Sequence, residues 1–286
     1  MNNLIILGSG PAAISAALYT QRAGIDTTII HKGYGALEKA HQIDNYYGVY
    51  PSLSGKELHD RGIEQAKALG VKFIEEEVFS IMYTGNYEIT TDKNKYEAAA
   101  VIMAMGSSRV SSKIKNLKAL EGLGVSYCAV CDGFFYRQKN VAVLGNSDYA
   151  IHEAQELLPI VGSVTLLTDG KLAPDKCPDG LLIDTREISE ILGSEHVEGV
   201  LFNDDTKLDV EGVFVALGAA GSSEIARKVG AIIENNKIVV NEDMATNLPG
   251  LYAAGDGSSK VLQVYAAVYQ GAKAASSVIK YLRDKK

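Results

Sequence analysis

The sequence predicts an α/β protein of two Rossmann-like domains, the second inserted into the first. The main observation is a strand–glycine turn–helix–strand pattern that opens the chain at residues 4–30 and returns at residues 140–167. A second observation is a pair of hinge-like segments, residues 107–120 and 208–212, which flank the repeat. The expected domains are residues 1–113 with 211–286, and residues 114–210.

Length and composition are those of an ordinary globular protein and exclude several classes of function. Of the 286 residues 47% are apolar and 22% are charged, which is typical of a folded, non-fibrous chain. A net charge of -7 argues against a general binder of nucleic acids or of anionic membranes. The apolar run Leu4–Leu7 is too short to span a membrane and lacks the basic flank of a signal peptide. We expect a cytoplasmic protein with no nucleic-acid or membrane partner.

The first strand–turn–helix unit has the sequence features of a dinucleotide site of the FAD/NAD(P)-binding type. The apolar run Leu4–Leu7 predicts a buried parallel strand, and Ile14–Arg22 and Thr27–Ile30 predict the helix and strand that follow. Gly8 allows a tight turn, and Gly10 lets a pyrophosphate approach the backbone at the helix N-terminus. The predicted nucleotide-binding turn consists of Gly8, Ser9, Gly10, Pro11, Ala12 and Ala13.

The usual acidic residue after the second strand of such a unit is missing. That residue normally binds the adenosine ribose, whereas this chain has His31 and Lys32 at the same point. Either His31 or backbone groups must then make the ribose contact. Both residues are therefore candidate cofactor ligands.

The remainder of the first domain is typical of a flavin-type dinucleotide fold. A helix at Leu58–Leu69 precedes a β-hairpin insert, and a buried strand then ends at Met105-Gly106. Near the C-terminus another strand ends at Gly255-Asp256, before the small-residue helix Ala266–Leu282. An aspartate at this point could bind the ribitol hydroxyls of a flavin. Considered alone, Asp256 is more often a turn residue.

The second copy of the unit is degraded at the positions that would hold a nicotinamide dinucleotide. Ser147 replaces the glycine that lets a pyrophosphate approach, and Tyr149 is bulky for a residue near that turn. After the second strand NADPH would need arginines, whereas Asp169 could bind only the 2′-hydroxyl of NADH. A scaffold that binds no nucleotide is preferred over NADH binding, and both are preferred over NADPH binding.

Between the two units lies the segment Cys128-Ala129-Val130-Cys131-Asp132-Gly133. A lone Cys-x-x-Cys in an intracellular protein indicates redox chemistry or half of a metal site. Zinc usually needs four ligands, and the remaining cysteine, Cys177, has no partner at ligand spacing. We therefore favour a redox pair and no metal over a metal site or plain core cysteines.

Over essentially its full length the chain resembles the low-molecular-weight thioredoxin reductases. The stretch around the cysteines is specific, whereas the dinucleotide turns are generic. The matching segments are Gly8-Ser9-Gly10-Pro11-Ala12, Asp44-Asn45, Gly124–Gly133 and Ala253-Ala254-Gly255-Asp256 followed by Gln263. The resemblance implies a homodimer with FAD in a domain built from both chain ends. Beyond the first turn it places FAD contacts at Asn45, Val78, Met105, Gly106, Gly255, Asp256, Gln263 and Val264.

Departures from the family pattern point to one subgroup. Tyr34-Gly35-Ala36 stands in place of the family's Gly-Gly-Gln, and Leu262 stands in place of an arginine. The inserted domain also lacks the intact glycine motif and the arginine pair that hold NADPH. The chain thus looks like the clostridial-type ferredoxin-dependent flavin thioredoxin reductases, which take electrons from reduced ferredoxin.

The resemblance further implies a path for the electrons. Reduced FAD passes two electrons to a Cys128–Cys131 disulfide, with Cys131 against the flavin and Cys128 as the outer thiol that attacks thioredoxin. The reverse order of the two cysteines stays open. Asp132 would protonate the leaving thiolate, or it is simply a turn or helix-cap carboxylate.

Alternatives stay open for both the electron donor and the activity. An acidic ferredoxin would need a basic patch, for which we consider Arg109, Lys113, Lys115 and Lys118 unless these residues form a solvated linker. The rival enzyme is an NADH- or NADPH-dependent disulfide reductase with an unusual pocket. The rival of another class is a flavin redox sensor or electron-transfer protein.

Overall fold

The computed structural model describes residues 3–106, 112–218 and 221–285. These residues form two compact units. Unit 1 comprises Met1–Ser108 and Gly221–Lys286, and unit 2 comprises Arg109–Ala220.

The helices and strands follow one another along the chain in three groups. The first segment of unit 1 contains β1 (Asn3–Leu7), α1 (Pro11–Arg22), β2 (Asp26–His31), α2 (Gly55–Ala68), β3 (Lys72–Glu75), β4 (Val78–Tyr83), β5 (Tyr87–Thr91), β6 (Lys95–Ala98) and β7 (Ala100–Met103). Unit 2 contains β8 (Val125–Ser126), α3 (Ala129–Asp132), β9 (Asn140–Leu144), α4 (Asp148–Leu157), β10 (Ser163–Leu167), β11 (Leu181–Asp184), β12 (Ile188–Leu192), β13 (Gly199–Phe202), β14 (Lys207–Leu208) and β15 (Gly212–Val215). The second segment of unit 1 contains α5 (Ser222–Lys228), β16 (Ile233–Glu234), β17 (Lys237–Ile238), β18 (Leu251–Ala253) and α6 (Val264–Asp284).

Unit 1 is built on a parallel sheet with the strand order β18–β7–β1–β2–β3. Leu4 and Ile6 of β1 lie in one buried core with Ala13 of α1 and Ala274 of α6. The small side chains let α1 and α6 pack closely, since a Cβ on Gly271 would lie 2.1 Å from the carbonyl oxygen of Ala12. Strands from both ends of the chain thus share one sheet and one core. The predicted α/β class with Rossmann-like parallel sheets is confirmed.

Helix α6 has 21 residues and contributes Val278 and Leu282 to this core. Its exposed positions include Tyr265 and Tyr269. Neither α6 nor any other helix in the described part of the chain is both long and apolar enough to cross a membrane.

Unit 2 repeats the plan with a parallel sheet in the order β11–β10–β9–β15–β8 and an antiparallel sheet β12–β13–β14. We expected the strand at residues 213–218 to belong to the first domain. Instead β15 pairs with β9, with Val213 opposite Ala142. This strand has the place beside β9 that β7 has beside β1, so the expected boundary at residues 210 and 211 falls one strand too early.

The segment before the cysteines is part of the unit 2 core. Leu117 and Leu120 are buried among the apolar side chains of unit 2. Lys115 Nζ lies 2.8 Å from Glu190 Oε2. The interpretation of residues 112–120 as a solvated linker is therefore wrong, while Arg109 lies outside the described residues.

Candidate functional site

The two cysteines of the Cys-x-x-Cys segment form a disulfide at the start of α3. Their Cα atoms are 5.3 Å apart, and Cys128 is the N-cap residue of this short helix. The Cys131 N–H donates to Cys128 Sγ at 3.1 Å. Cys128 is only 1% exposed, whereas Cys131 is exposed. An external disulfide can therefore reach Cys128 only after this sulfur has become more accessible.

Asp132 is held by a serine that the sequence did not single out. Ser126 Oγ donates to Asp132 Oδ2 at 2.6 Å and accepts from the Cys128 N–H at 3.1 Å. Ser126 ends β8, a two-residue strand that pairs with β15 and is too short to leave a periodicity in the sequence. One hydroxyl thus connects the candidate acid/base to the backbone of the disulfide.

A second carboxylate, Glu153 of α4, contacts the same turn. Its Oε2 accepts the Ala129 N–H at 2.9 Å, and its side chain is buried. The Ala129 amide lies at the N-terminal end of α3, where amides have no partner within the helix. The neighbouring Ala150, Ala154 and Leu157 are buried, so the only sequence signal was an acidic residue on an apolar helix face.

Three aromatic residues follow the disulfide in a 3-10 turn. Phe134 and Phe135 are 66% and 72% exposed. Tyr136 packs edge-on against Phe214, with ring centroids 5.4 Å apart. Burial raises the pKa of Tyr136, and the negative charge of Asp132 raises it further. The turn thus presents two phenyl rings at the surface, whereas the phenol of Tyr136 packs against Phe214 and stays neutral.

The third cysteine takes no part in this arrangement. Cys177 is half-buried, and its Sγ lies 3.4 Å from the carbonyl oxygen of Pro174. In the described ranges no three His, Cys, Asp or Glu side chains are grouped so that they could hold a metal ion.

The glycine turn of unit 1 has the geometry that a dinucleotide needs. Gly8 has a φ of +98°, and a Cβ there would lie 2.4 Å from the carbonyl oxygen of Ala104. Gly10 precedes α1, and a Cβ there would meet no atom within 4 Å. Helix α1 begins at Pro11 with no acidic residue and no side-chain cap in its first turn. Its free N–H groups and positive dipole end fit the pyrophosphate of FAD.

Ser9 of this turn is hydrogen-bonded to a histidine from α2. Ser9 Oγ lies 3.0 Å from His59 Nε2, and both side chains are buried. Burial lowers the pKa of His59, against the opposing attraction of Asp60. The Tyr34 ring lies 4.9 Å from the His59 ring. A neutral imidazole therefore positions Ser9, and the sequence missed it because His59 is fifty residues away.

The two candidate ribose ligands have different surroundings. Lys32 forms an ion pair with the buried carboxylate of Glu77, so its charge is already matched. His31 ends β2 and packs edge-on against Phe73, with ring centroids 5.9 Å apart. His31 Nδ1 has no hydrogen-bond partner within the described ranges. His31 is thus the one with unused hydrogen-bonding capacity.

Both chain segments of unit 1 meet at the first glycine turn. A Cβ on Gly8 would lie 2.9 Å from Met105 Cα, and one on Gly255 would lie 3.1 Å from Ala12 Cβ. The carbonyl oxygen of Gly106 accepts from Ser222 Oγ at 2.5 Å. The predicted residues after β7 and β18 therefore border the turn.

The other candidate cofactor residues lie further along these segments. Asp256 follows Gly255, Gln263 is the N-cap residue of α6, and Val264 is the first residue of that helix. Val78 is buried at the start of β4. Asn45 is exposed in a loop that the Ile43–Leu53 bridge closes, and no described contact joins it to the turn.

The corresponding glycine turn of unit 2 is occupied by its own chain. Ser147 Oγ donates to the carbonyl oxygen of Gly218 at 2.9 Å, and it accepts from the Ala150 N–H at 3.4 Å as the N-cap residue of α4. Asp169 Oδ1 accepts from the Ile188 N–H at 2.8 Å. Tyr149 is buried. The polar groups at the positions that hold a dinucleotide in this fold are thus used within unit 2.

An arginine does lie at this edge of the sheet, although the sequence did not reveal it. Asp184 is opposite Leu167, the last residue of β10. Arg186 Nε donates to Asp184 Oδ1 at 2.9 Å, and the guanidinium lies 3.8 Å from the centroid of the Phe202 ring. These hydrogen bonds lower the pKa of Asp184. A 2′-phosphate would therefore have to displace a paired carboxylate.

The parallel sheets, the dinucleotide turn of unit 1 and the cysteine pair of unit 2 define a class of protein, the flavin-dependent disulfide oxidoreductases. The sequence model of the pyridine nucleotide-disulphide oxidoreductase family matches residues 2–174 and 182–271. A thioredoxin reductase of Aquifex aeolicus (strain VF5) is 36% identical over 304 residues, covering 99% of this chain and 94% of that protein. The chain belongs to the thioredoxin reductase family.

Solved structures support the same relationship. An atypical thioredoxin reductase, TRi, from Desulfovibrio vulgaris Hildenborough superposes with a TM-score of 0.93 at 35% identity, covering 100% of this chain and 99% of that one. A ferredoxin-flavin thioredoxin reductase from Clostridium acetobutylicum gives a TM-score of 0.74 at 30% identity, covering 99% and 98%. The family consists of FAD-binding flavoproteins, which confirms the predicted cofactor.

Proposed function

We propose that the protein is a thioredoxin reductase that receives electrons from reduced ferredoxin rather than from NADPH or NADH. The observation that carries this proposal is the turn of unit 2, where Ser147, Asp169 and Arg186 are bonded to other groups of the same unit. A nicotinamide dinucleotide would have to break these bonds before it could bind. The likeness to the ferredoxin-flavin thioredoxin reductase of Clostridium acetobutylicum supports the same donor.

In this proposal the chain holds FAD in unit 1 and the redox disulfide in unit 2. When bound, FAD would supply the conversion of single electrons from the donor into an electron pair for the disulfide. The turn Gly8–Ala13 binds the pyrophosphate, and His31 Nδ1 is the candidate for the ribose contact because it has unused hydrogen-bonding capacity. The remaining proposed FAD contacts are Asn45, Val78, Met105, Gly106, Gly255, Asp256, Gln263 and Val264.

Reduction of the Cys128–Cys131 disulfide consumes two electrons and two protons and gives two thiols. The Cys128 thiolate then attacks the disulfide of thioredoxin and forms a mixed disulfide. Cys131 attacks Cys128 Sγ in turn, which releases reduced thioredoxin and restores the original disulfide. Asp132 protonates the leaving thiolate, from a position that Ser126 holds. Because Cys128 is buried, the cycle includes a step that exposes its sulfur.

The reduction potentials favour this direction of electron flow. Plant-type ferredoxins have reduction potentials of about -400 mV and thioredoxin one of about -270 mV, so the electron transfer is downhill by roughly 130 mV. For two electrons this difference is on the order of 6 kcal/mol. Thioredoxin reduction by ferredoxin would therefore be nearly irreversible.

Two exposed groups of residues in unit 2 are suited to protein partners. Phe134 and Phe135 are exposed beside the disulfide and offer an apolar contact for thioredoxin. Lys113 and Lys118 are exposed and offer positive charge to an acidic ferredoxin. Lys115 is a poorer candidate because its charge is paired with Glu190.

We also propose a homodimer in the cytoplasm. Tyr19 of α1 and Tyr265 and Tyr269 of α6 are all more than half exposed. Ser15 Oγ donates to the carbonyl oxygen of Val268, so these two helices pack side by side. Exposed aromatic residues on adjacent helices are typical of a surface that a second copy covers.

An anaerobic titration of the oxidised flavoprotein tests the donor. Reduced ferredoxin at four or more equivalents per chain, enough for both FAD and the disulfide, should bleach the flavin absorbance and, with thioredoxin present, produce free thiols on thioredoxin. Rapid bleaching by NADH or NADPH with no response to ferredoxin would overturn the donor assignment. Bleaching by ferredoxin without any thioredoxin reduction would instead favour a redox sensor or electron-transfer protein.

A further inference from the structure

We propose that Glu153 is a positioning residue that holds the redox turn and keeps the reduction potential of the Cys128–Cys131 pair low. The proposal rests on the redox role of this pair in the proposed function. Its basis is one contact, the 2.9 Å hydrogen bond from the Ala129 N–H to Glu153 Oε2. Glu153 and Cys128 are each only 1% exposed, so this contact lies in a region that water does not reach.

The position of Ala129 in the helix makes the contact relevant to the disulfide. Cys128 is the N-cap residue of α3, and its Sγ already accepts the Cys131 N–H. Amides at a helix N-terminus stabilise a thiolate at the N-cap and so lower the pKa of its thiol. An N-cap side chain accepts from the second and third helical residues, and here Cys131 is that donor. The amide of the first helical residue, Ala129, is bonded to Glu153 instead, which places a carboxylate one residue from Cys128.

The charge of this carboxylate acts on the neighbouring Cys128. Glu153 brings a negative charge to the residue next to Cys128, and the interaction of charges is stronger where water is excluded. The negative charge of Glu153 opposes formation of the Cys128 thiolate, which disfavours the reduced pair relative to the disulfide. A redox pair with a less stable reduced form has a lower potential and reduces its partner more strongly.

A purely structural role would leave the potential unchanged. In that case Glu153 would serve only to attach α4 to the redox turn, and its charge would be irrelevant. The substitution Glu153→Gln separates the two roles, because the amide oxygen can still accept the Ala129 N–H while the charge is removed. Glu153→Asp keeps the charge and shortens the side chain by one methylene.

The experiment measures the potential of the disulfide in the FAD-loaded protein without any ferredoxin or thioredoxin. Each variant is equilibrated anaerobically in glutathione buffers, in which two glutathione molecules are oxidised to one disulfide for each Cys128–Cys131 pair reduced. Alkylation then counts thiols per chain, and Cys177 supplies a constant background of one. Because neither partner is present, failure of this test is distinguishable from failure of the proposed donor or acceptor.

We expect Glu153→Gln to raise the equilibrium constant for reduction by about tenfold, which corresponds to a potential about 30 mV higher. Glu153→Asp should stay within about threefold of the natural protein because the charge is kept. The matched control is Glu156→Gln on the same helix, which should leave the potential unchanged. An unchanged or lower potential in Glu153→Gln, or an equal shift in Glu156→Gln, would overturn the proposal. If Glu153→Gln fails to fold, Glu153→Asp decides alone, and an equilibrium constant for reduction raised tenfold or more there would contradict the role of the charge, because the charge is kept.

Discussion

Ser126 Oγ donates a 2.6 Å hydrogen bond to Asp132 Oδ2, so the carboxylate beside the disulfide is held in one orientation. The same hydroxyl accepts the Cys128 N–H at 3.1 Å. The position of the candidate acid/base is therefore coupled to the backbone of the cysteine that the proposal makes the nucleophile. A proton donor must lie within hydrogen-bond reach of the leaving sulfur, and this arrangement supplies a fixed starting position.

The first prediction concerns these two residues. Asp132→Asn should slow thioredoxin reduction by about 10²- to 10⁴-fold, the usual contribution of a positioned general acid. Ser126→Ala should cost less, on the order of tenfold, because the carboxylate remains but loses its position. The measurement is the rate of thiol formation on thioredoxin at saturating donor, with FAD content checked. Ser163→Ala, which removes a surface hydrogen bond to Asn140, is the control, and a Ser126→Ala enzyme as fast as this control would contradict the prediction.

The cysteines themselves give the second prediction. Cys128→Ser and Cys131→Ser should each abolish thioredoxin reduction while leaving bound FAD in place, because the proposed FAD turn lies in the other unit. Cys177→Ser should retain activity, since this thiol takes no part in the disulfide. If Cys128 is the attacking thiol, Cys131→Ser should accumulate a mixed disulfide with thioredoxin that mass spectrometry can detect. Trapping by Cys128→Ser instead would reverse the roles of the two cysteines.

The sequence predicted the features that depend on neighbouring residues. The turn at Gly8 follows an apolar strand, and the glycine has the positive φ and the close approach to Ala104 that such a turn requires. The cysteine pair was recognised for the same reason, because a spacing of three residues is local. Local chemistry of this kind is readable before any fold is known.

Features that depend on distant residues were not predictable in the same way. Glu153 reaches Ala129 across 24 residues, and His59 reaches Ser9 across 50. Strand β15 was assigned to the wrong domain because its apolar run is equally suited to either parallel sheet. Only the pairing of β15 with β9 distinguishes the two possibilities, and strand pairing leaves no signal in one sequence.

The third prediction uses two glycines of the proposed FAD turn as a matched pair. Gly8→Ala should destabilise the apoprotein, because the positive φ alone costs about 1–3 kcal/mol and the new Cβ would lie 2.4 Å from the carbonyl oxygen of Ala104. Gly10→Ala should leave apoprotein stability unchanged, since its Cβ meets no atom within 4 Å, but should weaken FAD binding. Thermal unfolding and FAD fluorescence titration measure the two effects. A Gly10→Ala protein that binds FAD normally would show that the pyrophosphate does not approach this residue.

The fourth prediction concerns pH and His59. Burial lowers the pKa of His59 below its ordinary value of 6.5, so the unfolded chain binds the proton more readily than the folded one. The stability that the neutral imidazole contributes is fully present above the pKa that His59 has in the unfolded chain. It is lost as the pH falls from there through the lower pKa that His59 has in the folded protein. Urea unfolding between pH 8 and pH 5 should show this loss, with a slope of at most about 1.4 kcal/mol per pH unit. His59→Gln should reduce the slope, whereas the exposed His41→Gln should not, and equal slopes in the two variants would refute the assignment.

The fifth prediction tests the proposed ferredoxin surface. Lys113→Glu and Lys118→Glu should each lower kcat/KM for reduced ferredoxin, because charge reversal at the edge of an interface slows association. The loss should shrink as ionic strength rises, since salt screens exposed charges. Lys280→Glu makes the same change of charge on α6 of unit 1, at an exposed position outside the proposed surface. Equal losses in all three variants would mean that net charge, and not this surface, governs the encounter, whereas selective losses in the first two would place the donor at Lys113 and Lys118.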